Sequence, residues 1–163
     1  MKKLPRLLAC FAVTLLTCSG ALAQDAQSVP QSAEIARPSD QVFGALKQYF
    51  SDTLKHQFQL VSADKGSGVI VAKRHGIDEN TWTNWAYCKT PALNMLDTLT
   101  DGTVTVNVKV QPDGPNQTRV TIAPDFKGYY SLGNAQNIVS CQSKGALEKD
   151  ILASAGPTAP GPL

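Results

Sequence analysis

The chain has 163 residues, 42% of them apolar, which is long enough for one domain with a packed core. Its formal charge is +2, but three of the 15 Lys and Arg (Lys2, Lys3 and Arg6) lie in the first 23 residues. The remainder sets 12 cations against 13 Asp and Glu, a charge of about −1, so a nucleic-acid footprint is excluded.

Residues 1–23 read as an export signal. The three cations precede an apolar run over 7–17, and Ala21-Leu22-Ala23 before Gln24 is a cleavage site. The apolar run is too short for a spanning helix. The rival is lipidation at Cys18, although Thr17 stands where a small residue is usual. The expected compartment is therefore the periplasm or the exterior, with an outer-membrane lipoprotein anchored through Cys18 as the alternative.

Residues 24–37 are rich in Gln, Ser and Ala without a sustained period and read as a flexible tether. A single domain is expected over 38–154. The tail 155–163 carries Pro157, Pro160 and Pro162, which remove backbone donors, and reads as disordered.

The domain opens with an amphipathic helix. Ser39 is its expected N-cap, Asp40 suits the positive helix end, and Phe43, Leu46, Phe50 and Leu54 form the buried stripe. A hairpin follows, with strands over 58–63 and 69–72 joined by the turn Asp64-Lys65-Gly66-Ser67-Gly68. Asp78, Glu79 and Asn80 make the next turn, and 81–88 is rich enough in β-branched and aromatic residues to predict a third strand. Residues 91–101 fit either a short helix or a loop. The strand over 103–110 is the clearest in the chain, because Val104, Val106, Val108 and Val110 alternate with polar residues. It turns through 112–117 into a return strand over 118–123. The last element is expected to be a helix over 134–153, with Ile138, Cys141, Gly145 and Leu152 on one side. Gly145 costs about 1 kcal/mol in a helix interior, which close approach to a sheet would justify. Glu148 lies on that same side and calls for a Lys or Arg partner; the alternative is a frayed, solvated end.

The order is α-β-β-β-β-β-α, which predicts an α+β fold. It has two layers, a largely antiparallel sheet of about five strands with the N- and C-terminal helices on one face.

Cys10 and Cys18 leave with the signal, and Cys88 and Cys141 remain. An even number of cysteines in an exported chain predicts a disulfide between them; two buried thiols or one reactive thiol are the alternatives.

Catalytic chemistry finds little support, so no enzyme activity is expected and no catalytic residue is assigned; a hydrolase is the remote alternative. His56 and His75 lack ligand partners at metal spacing, apart from Asp78 and Glu79 in the turn after His75, so no metal is assigned. A Cys88–His75 thiol–imidazole pair competes with the disulfide. There is no C-x-x-C and no G-x-S-x-G, and the glycine-rich 65–68 sits in a hairpin rather than before a helix, so no cofactor is expected.

A surface is the remaining candidate. Alternation in 81–88 puts Trp82, Ala86 and Cys88 on one side and Trp85 and Tyr87 on the other. If Cys88 reaches the last helix, Trp85 and Tyr87 face outward with Asn107, Lys109 and Arg119, and these five form the candidate binding surface. The alternative is a second small core in which 91–101 or 126–130 covers the aromatics. The helix, strand and turn from Phe43 to Arg74, with Ser62-Ala63-Asp64-Lys65-Gly66-Ser67-Gly68-Val69-Ile70 at its centre, resemble periplasmic α+β modules of Gram-negative envelope lipoproteins of the outer-membrane assembly type. The resemblance implies a helix-on-sheet module for protein contacts. The expected partner is another envelope protein, with a membrane contact only if Cys18 is lipidated. A carrier of a small apolar ligand, held between sheet and helices, is the competing function.

Overall fold

The structure is a computed structural model that describes residues 30–88, 99–132 and 135–157. The expected signal, with Cys10 and Cys18, lies outside the described residues, as do 89–98 and the tail from 158 onward.

In chain order the elements are β1 (Gln31–Ile35), α1 (Ser39–Gln48), β2 (Gln59–Asp64), β3 (Val69–Arg74), α2 (Glu79–Trp85), β4 (Ala86–Cys88), β5 (Leu99–Gly114), β6 (Gln117–Leu132), β7 (Ala135–Ser143) and α3 (Ala146–Ala155). All strand pairings are antiparallel in one open sheet ordered β2-β3-β5-β6-β7-β4. The long β6 has room for two neighbours along its second edge. β1 pairs with its first half, placing Ala33 opposite Val120, and β7 pairs with its second half, placing Cys141 opposite Phe126. The fold is a two-layer α+β arrangement, as expected, with seven strands rather than about five.

The core lies between the sheet and the helices. Val104, Val106, Val108 and Val110 of β5 are buried, and so are Val120, Ile122 and Phe126 of β6. α1 lays Val42, Phe43 and Leu46 on this face and packs against α3. A π-helical turn, Tyr49–Thr53, follows α1 directly and carries Phe50 inward, edge-on to Phe58. The helix is preceded by Pro38 in the N-cap position, one residue before the expected Ser39.

Three sequence expectations are corrected. The tether reading fails at 31–35, because Ile35 is fully buried and β1 joins the sheet. Its outward side is polar, with Ser32 hydrogen-bonded to Thr121 at 2.8 Å and Glu34 ion-paired to Arg119 at 3.2 Å, which gives the segment its tether-like composition. The third strand over 81–88 is instead α2 followed by the three-residue β4. Asp78 caps α2 by accepting from the Thr81 N–H at 2.9 Å and the Thr81 hydroxyl at 2.8 Å, so the turn residues start a helix. The helix over 134–153 splits into β7 and α3. The β6 edge offers 135–141 a ladder and β4 pairs with 141–143, which together outweigh a weak helical stripe. Gly145 then breaks the chain at φ +82, a left-handed conformation, and a Cβ there would crowd the Gln31 amide at 2.5 Å. It is therefore the residue before α3, not a residue inside it.

Glu148 remains on the buried side of α3 with Leu147 and Ile151, at 0% exposure. The expected Lys or Arg partner is not there: neither carboxylate oxygen has a hydrogen-bond partner among the described residues.

Candidate functional site

The segment from Asp78 to Cys88 crosses the covered side of the sheet and ends at its edge. Trp82 is buried and meets Phe126 edge-on at 5.5 Å, and its indole N–H donates to Cys88 Sγ at 3.2 Å. The sheet makes room for it with glycine: Gly102 faces the indole directly, and a Cβ at that position would run into the ring. Cys88 lies directly opposite Cys141 in the β4–β7 register, and the two form a disulfide. The bridge therefore joins two strands, where a strand-to-helix link was expected. Lys144 Nζ donates to the Thr83 carbonyl and the Lys144 N–H to the Trp85 carbonyl, tying the end of β7 back to α2.

The five candidate surface residues do not stay together. Helical rotation in α2 turns Trp85 onto the covered side, where it packs 6.0 Å from Phe58 and lies under the Arg74 guanidinium at 5.0 Å. Trp85 therefore belongs to the edge of the core. Tyr87 faces the other way, 60% exposed, on the same side as its partner Gln142. Ile138 of β7 faces that side too, at 62% exposure and opposite Tyr129. Asn107 and Lys109 are exposed on β5, further across the sheet. Arg119 is engaged by Glu34 and by Asp113 at 2.8 Å. The sequence reading missed Ile138 because it placed that residue inside a helix.

The alternatives for chemistry resolve locally. Cys88 sulfur is committed to the disulfide, and exposed His75 sits with Nδ1 3.4 Å from the Thr103 hydroxyl. No group of three His, Cys, Asp or Glu able to hold a metal occurs among the described residues. No helix among them is long and apolar enough to cross a membrane. Among the described residues, buried side chains of the sheet and of the helices pack against one another between the layers.

Comparison with known proteins assigns no family. No protein-family model matches the chain, and no curated protein matches it. Among solved structures it is similar to a DUF4468 family protein from Bacteroides ovatus, with 16% identity and a TM-score of 0.38. The match covers 75% of this chain and 66% of that one, so the chain spans just under two thirds of its neighbour's length.

Two open clefts flank the β2–β3 hairpin. One, of about 300 Å³, lies at its turn, between Ser39, Asp40 and Phe43 of α1, the glycines Gly66 and Gly68, and Pro112 of β5. Its charges are matched internally: Lys65 pairs with Asp40 at 3.1 Å, while Gly66 N–H and Ser67 Oγ donate to the Asp64 carboxylate. Those bonds, led by the Ser67 hydroxyl, hold the Asp64 carboxyl below its usual range. The second, of about 320 Å³, lies at the hairpin's open end and is lined by Lys55, His56, Gln57, Lys73, Arg74 and His75. Both histidines of the chain are here. Sequence spacing finds no ligand partner for either histidine, because 18 positions of chain separate His56 from the end of β3 and only hairpin pairing brings them together.

Arg74 anchors this second cleft. Its side chain is 14% exposed, its Nη1 donates to Gln57 Oε1 at 3.1 Å, and its plane covers the Trp85 ring. Asp78 stands 4.0 Å from Nη2. Burial pushes the Arg74 guanidinium down from its ordinary value, and the Asp78 charge acts against that shift. Asp78 itself is held below the usual carboxylate range, first by the Thr81 backbone N–H and then by its hydroxyl.

Proposed function

We propose that this chain is an exported, non-enzymatic domain that binds another protein of the cell envelope through the open face of its sheet. The observation that carries the reading is that Tyr87 of β4 and Ile138 of β7, each more than half exposed, both face the uncovered side at one end of the sheet, Ile138 standing four positions along β7 from the Tyr87 partner Gln142. An exposed tyrosine and an exposed aliphatic side chain on one face, with Gln142 beside the tyrosine, match the composition of interface anchors with a polar rim. The disulfide supports an oxidising compartment, in keeping with the export signal. The resemblance of 43–74 to envelope lipoprotein modules used for protein contacts points the same way.

The test compares the mature protein with a Tyr87→Glu/Ile138→Glu variant in quantitative crosslinking and capture from envelope fractions. The reading expects one partner protein, recovered reciprocally when that partner is tagged, and depleted at least about tenfold by the variant. A tenfold loss corresponds to about 1.4 kcal/mol, within reach of one or two anchor residues. Equal recovery by both forms, with unchanged thermal melting, would remove this face from the function.

A further inference from the structure

We propose that the cleft at the open end of the β2–β3 hairpin binds a phosphate monoester group, through Lys55, Lys73 and Arg74 with His56 and His75 beside them. Three permanent cations and both histidines line a cleft of about 320 Å³, and no carboxylate contributes to its lining. This concentration stands out in a mature chain whose overall charge is about −1. Among the described residues, Asp78, 4.0 Å from Arg74 Nη2, is the one carboxylate set against these cations, so they still repel one another, and a bound dianion offsets that repulsion. A phosphate monoester carries a charge near −2 at neutral pH and three acceptor oxygens, so it suits several donors at once.

Arg74 supplies the geometry. Trp85 holds one face of its guanidinium, and Gln57 occupies Nη1. Such a stacked, oriented guanidinium still carries donors along its edge, which is how arginine grips phosphate oxygens. The nearby Asp78 does not close the site. Its carboxylate accepts from Thr81 at 2.8 and 2.9 Å, and it approaches Arg74 Nη2 only to 4.0 Å. The cleft at the turn end of the same hairpin has the opposite character, since its Lys65 is already paired with Asp40. Lys55 and Lys73 reach the cleft from before β2 and from the end of β3, so a phosphate between them would be held from the segment that enters the hairpin and from its return strand.

Inorganic phosphate is the first probe, titrated into the isotope-labelled mature protein while amide shifts are followed. The expected result is saturable shifts confined to 55–59 and 73–75. The Lys55→Gln/Lys73→Gln variant should bind roughly tenfold more weakly per charge removed, because a charge-assisted hydrogen bond contributes about 1.5–3 kcal/mol. Both lysines project into the cleft rather than the core, so this variant keeps the wild-type melting curve. The second probe identifies the source of the phosphate. Vesicles of phosphatidylcholine containing phosphatidic acid, compared with phosphatidylcholine alone, should co-sediment the protein if the group belongs to a lipid, with the same dependence on the two lysines. Binding to inorganic phosphate without vesicle binding assigns the site to a soluble phosphate ester. The proposal is overturned if sodium chloride at equal ionic strength reproduces the shifts, or if the double variant binds phosphate as the wild type does.

Discussion

On one face of β5, Val104, Val106, Val108 and Val110 are buried on the side where α1 and α2 pack; on the other, Asn107 and Lys109 alternate with them and remain exposed. β6 repeats the contrast, with Val120 and Ile122 inside and Arg119 outside. The same two strands thus present one face packed within the chain and one face open to solvent. Changes on the covered face should register as stability, and changes on the open face should register in binding alone. Each prediction below tests that division.

The largest expected effect is loss of the bridge that fastens β4 to β7. The disulfide spans 53 positions of sequence, and loop-closure entropy puts its contribution at about 4 kcal/mol. Cys88→Ala/Cys141→Ala should lower the free energy of unfolding by that order in urea, with Trp82 fluorescence as the probe beside Cys88. An unchanged midpoint would mean that hydrogen bonding and Trp82 packing hold the edge alone.

Next comes Gly102→Val, which would place a side chain against the Trp82 indole. Overpacking at such a position costs about 1–3 kcal/mol, and the upper end is expected here because β5 and β6 fix the backbone from below. The paired Trp82→Leu change should recover part of the loss, which a double-mutant cycle would read directly.

These two predictions concern the region that the sequence disclosed least accurately. The valine alternation in 103–110 states both its element and its inward face, since a strict period of two has one structural solution. The first helix and the hairpin were legible for similar reasons: a wide apolar stripe and a glycine-rich turn. By contrast, 81–88 holds β-formers, but a local cap decides its structure, because Asp78 satisfies the first-turn donor of Thr81 and starts a helix. In 135–143 the choice of strand over helix is made by a partner strand remote in sequence. β1 was hidden for another reason: it has only Ala33 and Ile35 as inward apolar positions, Gln31 on the same side lies against Gly145, and Ser32 and Glu34 serve the open face. The candidate site suffered from the same error of period, since one turn of helix was enough to send Trp85 to the opposite face from Tyr87.

Glu148 is the exception on the covered face, and it predicts a gain. A fully buried carboxylate without a hydrogen-bond partner among the described residues carries an uncompensated desolvation cost. Glu148→Met keeps the length of the side chain and removes the polar atoms, so unfolding should become harder by about 1–3 kcal/mol. Glu148→Gln should gain less, because its amide would be buried just as incompletely. A loss of stability in the methionine variant would instead reveal that the carboxylate is held in place.

A smaller effect, on acid stability, is expected at the start of α2. The Asp78 carboxyl is held below its ordinary value by Thr81, so its folded pKa is lower than its unfolded one. Its contribution is present above the unfolded value of about 3.9 and is lost as the pH falls through the lower folded value. Asp78→Asn should retain the cap and flatten this acid limb, whereas Asp78→Ala should lower the melting temperature at neutral pH as well. Melting curves between pH 2 and 7 separate the two; an unaltered acid limb in the asparagine variant would assign the sensitivity to another carboxylate.

The smallest change in stability belongs to the open face. Asn107 and Lys109 meet solvent, and Tyr87 is 60% exposed, so Tyr87→Ser and Lys109→Ser should each stay within about 0.5 kcal/mol of the parent. Tyr87 nevertheless faces away from the disulfide that its own strand forms one residue later. The bridge fixes the strand, the pleat directs the ring outward, and the ring gains little from the fold that positions it. If Tyr87→Ser leaves the melting curve in place while capture of the proposed partner falls, the division between the faces holds at the level of a single residue. If instead the protein is destabilised by more than about 1 kcal/mol, Tyr87 is covered in the folded chain, and the contact surface must be sought away from β4.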